Sequence, residues 1–309
     1  MKPTVCVVGS LNMDFVVKVD HLPAPGETVL GRDFQMFPGG KGANQACAAG
    51  KLGSPSVDVR MVGRVGYDAF ADHLKASLSA AGVDVSYVHA TRSQPTGIAL
   101  IWVESAGQNS IVVAAGANNE LAASEVEAMR AAMRDARYVL FQLETPLDTV
   151  EAALKLAREE GAKTILDPAP AQPLSLDLLQ LVDILTPNET EACILLGHAV
   201  GRVELNDVPV LANQLRSMGP RSVVLKLGEK GCYYDDGVKQ IHSPGFPVKA
   251  CDTTAAGDTF NGALAIALAE GQDIETALRF ANCAAAISIT RTGAQASIPS
   301  RMEVDRFSG

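Results

Sequence analysis

The sequence predicts an α/β fold: a doubly wound, mostly parallel sheet flanked by helices, with a small lid sheet built from β-hairpins. Three observations carry this expectation. From about residue 56 onward, short apolar runs alternate with helical segments, the pattern of a parallel sheet covered on both faces. The first run, Val5–Val8, is continuously apolar and stopped by Gly9, as suits a strand buried on both sides. Two stretches, at about 15–37 and 97–113, break the alternation and read instead as strand pairs joined by turns.

In chain order, Phe15–Asp20 and Glu27–Leu30 are expected as strands on either side of a His-Leu-Pro-Ala-Pro-Gly turn. Gln45–Gly53 is a helix of small residues. Val57–Val62 is a strand and Ala69–Ala81 a helix. Gly97–Val103 and Ser110–Val113 form the second hairpin across residues 105–109, and the two insertions are expected to pair as one sheet outside the main layer. Helices follow over Glu125–Arg134 and Asp148–Gly161, with strands at Tyr138–Gln142, Thr164–Asp167 and Val182–Asn188. Ser222–Lys226 is a strand delivering a Gly-x-x-Gly turn, and Cys232–Asp235 with Lys239–His242 makes a hairpin. Helices from Gly257 and from Glu275 to Ile289 close the layer. With no linker or repeat, 1–309 reads as a single domain carrying the lid.

Composition removes several classes of function. At 47% hydrophobic and 20% charged residues the chain affords a large core. A net charge of −9 disfavours a nucleic-acid or anionic-membrane surface, so any phosphate must be held by local N–H groups and a few cations. The six cysteines are scattered without a C-x-x-C pair and the five histidines are isolated, so a disulfide frame or zinc site is not expected. The N-terminus is too short before its first strand for a signal peptide, and no apolar run reaches the ~18 residues of a membrane span. The expectation is a soluble, cytoplasmic protein.

The chemistry is expected at Ala250–Phe260. Ala255, Ala256 and Gly257 leave the backbone uncovered where a helix begins, so free N–H groups and the positive end of the helix dipole can receive an anion. Asp258 adds a carboxylate at the same place. Two readings stay open for it: a helix cap, or a general base beside an anion hole. Asn12 and Asp14 follow the carboxyl end of the first strand, where open α/β sheets place ligands, and suit either a polar turn or vicinal sugar hydroxyls. Glycines 39, 40 and 42 permit close backbone approach at another helix start, with Lys41 and Asn44 able to bond sugar oxygens, although neither a P-loop nor G-x-G-x-x-G is present. Asn188, Glu189 and Glu191 read either as helix-dipole partners or as a water-mediated Mg²⁺ contact.

Together these pieces resemble the ribokinase (pfkB-type) family of carbohydrate kinases over nearly the whole chain. Seven segments stand in the family's order: Gly9–Asp14, Gly39–Asn44, Gln142–Glu144, Thr186–Glu191, Lys226–Gly231, Asp252–Asp258 and Arg291–Gln295. The resemblance implies a ribokinase-like fold and ATP-dependent transfer of a phosphoryl group to a sugar's primary hydroxyl. Asn12, Asp14, Gly40, Lys41, Asn44 and Glu144 match sugar-contacting positions, Asp258 the base, and Ala255–Gly257 the anion hole. Asn188, Lys226, Gly228, Glu229, Gly231, Gly257 and Asn282 fall where the family holds ATP. Asp252, Thr254, Ser288, Arg291, Gly293 and Ser297 match a loop pair that binds activating K⁺, and Glu191 a Mg²⁺ contact. Two departures stand out: Asn282 where relatives often carry His, and Ala255 where the wider family has Gly.

The resemblance implies D-ribose, phosphorylated at O5, as the acceptor, and no Arg/Lys cluster near 12–14 or 39–44 would receive a sugar phosphate. Alternatives are a nucleoside such as adenosine or pseudouridine, with Phe37 and Trp102 as an aromatic slot, and a non-catalytic sugar-binding protein. A homodimer through the lid hairpins is the expected assembly.

Overall fold

The computed structural model describes residues 2–104, 109–201 and 203–307. Two sheets organise it. The main sheet runs β14-β13-β12-β11-β10-β9-β1-β4-β5, with β6 paired to the far end of β4. Its strands are β1 (Thr4–Val8), β4 (Asp58–Gly66), β5 (Val83–Asp84), β6 (Val88–Thr91), β9 (Ala136–Phe141), β10 (Lys163–Leu166), β11 (Ile184–Leu185), β12 (Ser222–Lys226), β13 (Cys232–Asp235) and β14 (Gln240–Ser243). Pairings are parallel from β5 through β12, and only the β12-β13-β14 end is antiparallel. The small sheet has the order β3-β2-β7-β8, from β2 (Asn12–Val19), β3 (Arg32–Gly39), β7 (Gly97–Glu104) and β8 (Asn109–Ala114).

The helices are α1 (Lys41–Gly53), α2 (Ala69–Ala80), α3 (Arg130–Met133), α4 (Leu147–Glu159), α5 (Leu176–Leu179), α6 (Glu189–Leu195), α7 (Val208–Ser217), α8 (Ala256–Ala269), α9 (Ile274–Ser288), α10 (Ala294–Ser297) and α11 (Arg301–Arg306). They sandwich the main sheet between two apolar clusters. One gathers α1, α2, α8 and α9 on one face, through residues such as Leu52, Leu74, Leu264 and Leu278. The other gathers α4 and α7 on the opposite face, through Leu154, Leu211 and Leu215. Alternate side chains of β1 supply both: Val5 and Val7 to the first, Cys6 and Val8 to the second. The run of small residues in α1 and α8 has a packing reason. A Cβ on Gly262 would lie 2.6 Å from that of Ala48 and 2.7 Å from the Gln45 carbonyl, so these helices touch almost backbone to backbone.

Three expectations are corrected. The second lid strand is Arg32–Gly39, not Glu27–Leu30, which lies in irregular chain. β2 already donates its ladder positions to Arg32 and to residues 35–39, running Phe37–Gly39 straight into α1. Glu125–Arg134 is mostly a 3₁₀ segment (Ala123–Met129) followed by the single turn α3, so its apolar spacing marks contact points without a regular α-helix. The strand expected over Val182–Asn188 keeps a continuous ladder only at Ile184–Leu185, with one isolated parallel bridge beyond it from Asn188 to Lys226; Pro187 lacks an N–H and Asn188 caps α6. The hairpin turn at 105–108 lies outside the described residues. No helix of the described residues is long and apolar enough to cross a membrane.

β1 lies between β9 and β4, and the chain turns to β4 on one side and to β9, β10, β11 and β12 on the other. The carboxyl edge of β1 and β9 is therefore the topological switch point, where α/β sheets open a crevice. β2 continues from β1 across that crevice, so the lid sheet is rooted in the site.

Candidate active site

Successive strand ends deliver polar groups to the crevice: Ser10 after β1, Gln142 and Glu144 after β9, Asp167 after β10, and Lys226 at the end of β12. Asn12 and Asp14 stand on the lid strand β2, and Lys41, Asn44 and Gln45 on the first turns of α1. Asp258 comes from the first turn of α8 and is 6% exposed.

The start of α8 is unusual. Its N-cap residue Ala255 is left-handed (φ 58°), a conformation that costs a residue with a Cβ roughly 1–2 kcal/mol. No side chain caps the helix; the Ala256 N–H donates to the Thr253 carbonyl at 3.3 Å, while the Gly257 and Asp258 N–H groups are left for an incoming anion. Thr259 secures the turn by donating N–H and Oγ1–H to the Ala255 carbonyl, at 2.8 and 2.9 Å. A Cβ on Gly257 would lie 3.3 Å from Lys226 Nζ, which places that ammonium beside the bare backbone.

Asp258 is bracketed by amides. Asn44 Nδ2 donates to Oδ2 at 3.0 Å and Gln45 Nε2 to Oδ1 at 3.1 Å. Gln45 Nε2 also donates to Asp167 Oδ2 at 2.9 Å, and Gln142 Nε2 donates to Gln45 Oε1 at 2.7 Å. Lys226 Nζ reaches Asp167 Oδ1 at 2.9 Å. Burial pushes the Asp258 carboxyl above its ordinary pKa; Lys41 and the two amides oppose this, and Asp167 adds to it. A carboxylate whose pKa is raised accepts a proton more readily.

Asp14 is also displaced upward, to about 7, by burial and by the charges of Glu144 and Asp258, with Lys41 opposing. Burial works against the Lys41 ammonium, but Asp258, Asp167, Glu144 and Glu191 outweigh it and hold its pKa above the usual lysine value. Glu144 anchors the glycine turn: its Oε2 accepts from Ser10 Oγ at 2.6 Å and from the Lys41 N–H at 3.0 Å. Gly40 is left-handed there (φ 88°), and a Cβ would sit 2.7 Å from the Asn12 nitrogen. Asn12 Oδ1 accepts from Asn118 Nδ2 at 2.7 Å. Asn44 Oδ1 is buried with no hydrogen-bond partner.

Two cavities meet at Lys226 and Gly257. The larger, ≈ 980 Å³, is mostly apolar and runs past Gly228, Glu229, Gly231, Phe246, Val248 and Ala286. The smaller, ≈ 460 Å³, is lined by Lys41, Asp167, Asn188, Glu191, residues 255–257 and Asp258. Asn282 lines the larger cavity, but its amide donates to Ser243 (Oγ and carbonyl, each 3.1 Å) and so fastens the end of β14. Asn188 and Glu191 form a capping box on α6, each accepting from the other's N–H at 2.8 Å. Burial raises the Glu191 pKa, against the pull of Lys226.

Next to the start of α8, Asp252 ties two loops together: Oδ1 accepts from the Thr254 N–H at 2.9 Å and Oδ2 from the Gly293 N–H at 3.0 Å. Despite partial burial, these bonds hold its carboxyl below the ordinary aspartate value, so it stays charged. Ser288 and Ser297 donate their hydroxyls within their own turns, to Ala285 and Ala294, and Arg291 is drawn away to Glu303 at 2.5 Å. The residues expected around K⁺ thus gather as two loops cross-linked by one carboxylate.

Asp167, Gln45, Gln142 and Asn118 were not among the expected site residues. Asp167 had a signal: it follows a strand's carboxyl end, as Asn12 and Glu144 do. Asn118 had none, since it comes from a 3₁₀ turn remote in sequence.

A bare helix start, a buried carboxylate beside it, a polar crevice and an apolar slot together define a phosphotransferase site on a doubly wound sheet. The chain belongs to the pfkB family of carbohydrate kinases, whose model matches residues 2–301. Among its relatives it is similar to the ribokinase of Haemophilus influenzae, 42% identical over 99% of both chains. It is also similar to the ribokinase of Bacillus subtilis, 43% identical over 98% of both. Its fold is ribokinase-like, superposing on an Arabidopsis thaliana ribokinase complexed with ribose and ATP with a TM-score of 0.89, at 35% identity over the full length of both chains.

Proposed function

We propose that this kinase transfers the γ-phosphoryl group of ATP to O5 of D-ribose. The observation that carries the reading is Asp258, a buried carboxylate held by two amides in the turn that leaves the α8 N–H groups open. Ribose lies against Asn12, Asp14, Lys41, Asn44 and the Gly40 backbone, with the unpartnered Asn44 Oδ1 accepting from a sugar hydroxyl. Asp258 takes the proton from O5; O5 bonds to the γ-phosphorus as the bond to the β-phosphate oxygen breaks, leaving ADP. The N–H groups of residues 255–257 receive the equatorial oxygens. Adenine fills the apolar cavity between the 228–231 turn and α9, and the lid strand β2 covers the sugar. The names of the Haemophilus influenzae and Bacillus subtilis relatives, and the Arabidopsis thaliana ribokinase complexed with ribose and ATP, support this choice over a nucleoside.

Three finer features belong to the same proposal. Mg²⁺ would accompany ATP and neutralise phosphate charge, with Glu191 and Asn188 as the residues that would hold it through water; a carboxylate edge beside a phosphate cavity is the donor set it needs. Among the described residues no cluster of three or more His, Cys, Asp or Glu could form a protein cage, which suits an ion held largely by phosphate and water. The Asp252–Thr254 and Arg291–Ser297 loops would hold K⁺, since an ionised carboxylate and backbone carbonyls suit a hard monovalent cation, and the ion would stiffen the anion hole. The lid sheet pairs with a second copy: Met36, Leu100 and Val112 stand in one cross-strand row, each exposed, on the face opposite Asp14. The protein is assigned to the cytoplasm, as suits its free, mostly buried cysteines.

The test is ADP release from ATP with ribose, deoxyribose, fructose, adenosine and pseudouridine, in K⁺ and in Na⁺. Ribose as the preferred acceptor with higher turnover in K⁺ is the expected result. Preference for a nucleoside overturns the substrate, and equal rates in the two salts overturn the potassium site.

A further inference from the structure

Lys226 and Asp167 form a buried ion pair where the two cavities join, and an ordinary structural role does not account for its position. The Lys226 side chain is 12% exposed and that of Asp167 4%. Burying such a pair gains little stability over apolar residues of the same size, because desolvation cancels most of the attraction. What the pair achieves is placement. Lys226 Nζ lies against the Gly257 backbone, within the short stretch that lines both the apolar cavity and the cavity of Lys41 and Asp258, and among those shared residues it is the one cation.

Charge makes that placement matter. The smaller cavity is lined by Asp167, Glu189, Glu191 and Asp258, against Lys41 and Lys226 as the cations among the described lining residues. A terminal phosphate entering it meets a net negative wall, so an ammonium beside the anion hole has a large effect there. Asp167 also does more than neutralise the lysine. Its second oxygen accepts from Gln45 Nε2, and the same nitrogen donates to Asp258 Oδ1. One carboxylate therefore sets both the lysine at the phosphate and the amide that orients the base.

We propose that Lys226 binds the transferring γ-phosphoryl group as a catalytic residue, and that Asp167 is a positioning residue that aligns this lysine with Asp258 through Gln45. The proposal rests on the kinase reading for its turnover, but its nucleotide part stands on binding alone.

The experiment compares wild type, Lys226→Met, Lys226→Arg, Asp167→Asn, Asp167→Glu and the Lys226→Met/Asp167→Asn double variant. Affinities for ADP and for a non-hydrolysable ATP analogue are measured by calorimetry, beside steady-state turnover of ribose. Lys226→Met should weaken the analogue about tenfold or more while leaving ADP within about twofold, as expected for losing one charge-assisted bond to the terminal phosphate. Its kcat should fall about 10²-fold, the scale of one lost charge-stabilising donor, with Lys226→Arg recovering part of it. Asp167→Asn should lower kcat about tenfold at unchanged ribose KM, and Asp167→Glu, which keeps the charge, should retain more activity. In the Lys226→Met background Asp167→Asn should cost less than it does alone, because the two act as a unit.

Equal weakening of ADP and analogue by Lys226→Met overturns the phosphate contact. Fully additive losses, or an unchanged kcat in Asp167→Asn, overturn the positioning role. A wild type that binds nucleotide but turns over no ribose refutes the ribose reading instead, while the affinity ratio still decides the role of Lys226.

Discussion

Replacing Gly257 by alanine separates what the start of α8 contributes to stability from what it contributes to catalysis. Gly257 lies in the first turn of the helix, and its φ is not positive, so an alanine adopts the same backbone without strain. The added methyl meets only Lys226, at 3.3 Å from Nζ and 4.0 Å from Cε, the flexible end of a side chain that can shift. Alanine in a helix is worth up to about 0.5–1 kcal/mol over glycine, somewhat less in a first turn. The free protein should therefore melt at the same temperature or up to about 2 °C higher. Catalysis should move the other way. Phosphoryl oxygens must come to about 2.7–3.1 Å of their N–H donors, and a methyl on Gly257 occupies the approach. Losing one such donor costs about 10²–10³ in kcat, or about 2.7–4 kcal/mol of transition-state stabilisation. Differential scanning fluorimetry and an ADP-release assay on the same preparation read both effects. Turnover within about threefold of wild type would refute the anion hole, whatever the melting temperature.

Four further outcomes follow from the same geometry. Ala255→Gly relieves the left-handed N-cap and should stabilise the protein by roughly 0.5–1 kcal/mol in urea unfolding with turnover retained; a loss of stability would mean that the strain is not there. Asp258→Asn should cut kcat by about 10²–10⁴ while ribose still binds by calorimetry, since the fold holds the residue through amides that an asparagine oxygen can still satisfy in part. Asp14 carries a linkage prediction: its proton leaves near pH 4 in the unfolded chain and near 7 in the fold, so between those values the folded state holds the extra proton and stability falls as pH rises. Asp14→Asn should remove that penalty, on the order of 3–4 kcal/mol when complete, so its stability gain in urea should grow from pH 5 to pH 8; a gain independent of pH would show that Asp14 ionises normally. Leu100→Glu with Val112→Glu on the outer lid face should give a monomer by sedimentation, and wild type that is already monomeric at micromolar concentration removes the dimer.

How much of this site was legible in the sequence depended on whether a residue's role is local or supplied across the fold. Asp258 and the small residues before it were legible because a helix start makes its own anion site from consecutive backbone groups. Asn12, Asp14 and Glu144 were legible by position, since strand ends at a switch point face a crevice whatever their partners. The lid pairing was expected, but its second strand was misplaced. Glu27–Leu30 looks apolar enough to pair, whereas the ladder is taken by Arg32–Gly39, most of it solvent-exposed and so without a clean alternation. In a projecting sheet, burial cannot write the usual period-two pattern, and register is set by the neighbouring strand.

Asp167 shows the opposite limit. Its place after β10 marks it as polar at the right edge, but its meaning comes from Lys226, 59 residues later, and from Gln45, 122 residues earlier. Neither partner can be inferred from local propensity, because both meet Asp167 only once five parallel strands have stacked in order. The same holds for Asp14, whose raised pKa follows from burial beside Glu144 and Asp258 on three different elements. The individual groups to which the proposed chemistry is assigned were thus written in short segments, and the electrostatic coupling among them was written only in the topology. A family of kinases can therefore keep the local segments while changing that coupling. Paired residues such as Asp167 and Lys226 are where two members with the same motifs would come to differ in how tightly they hold the phosphate being transferred.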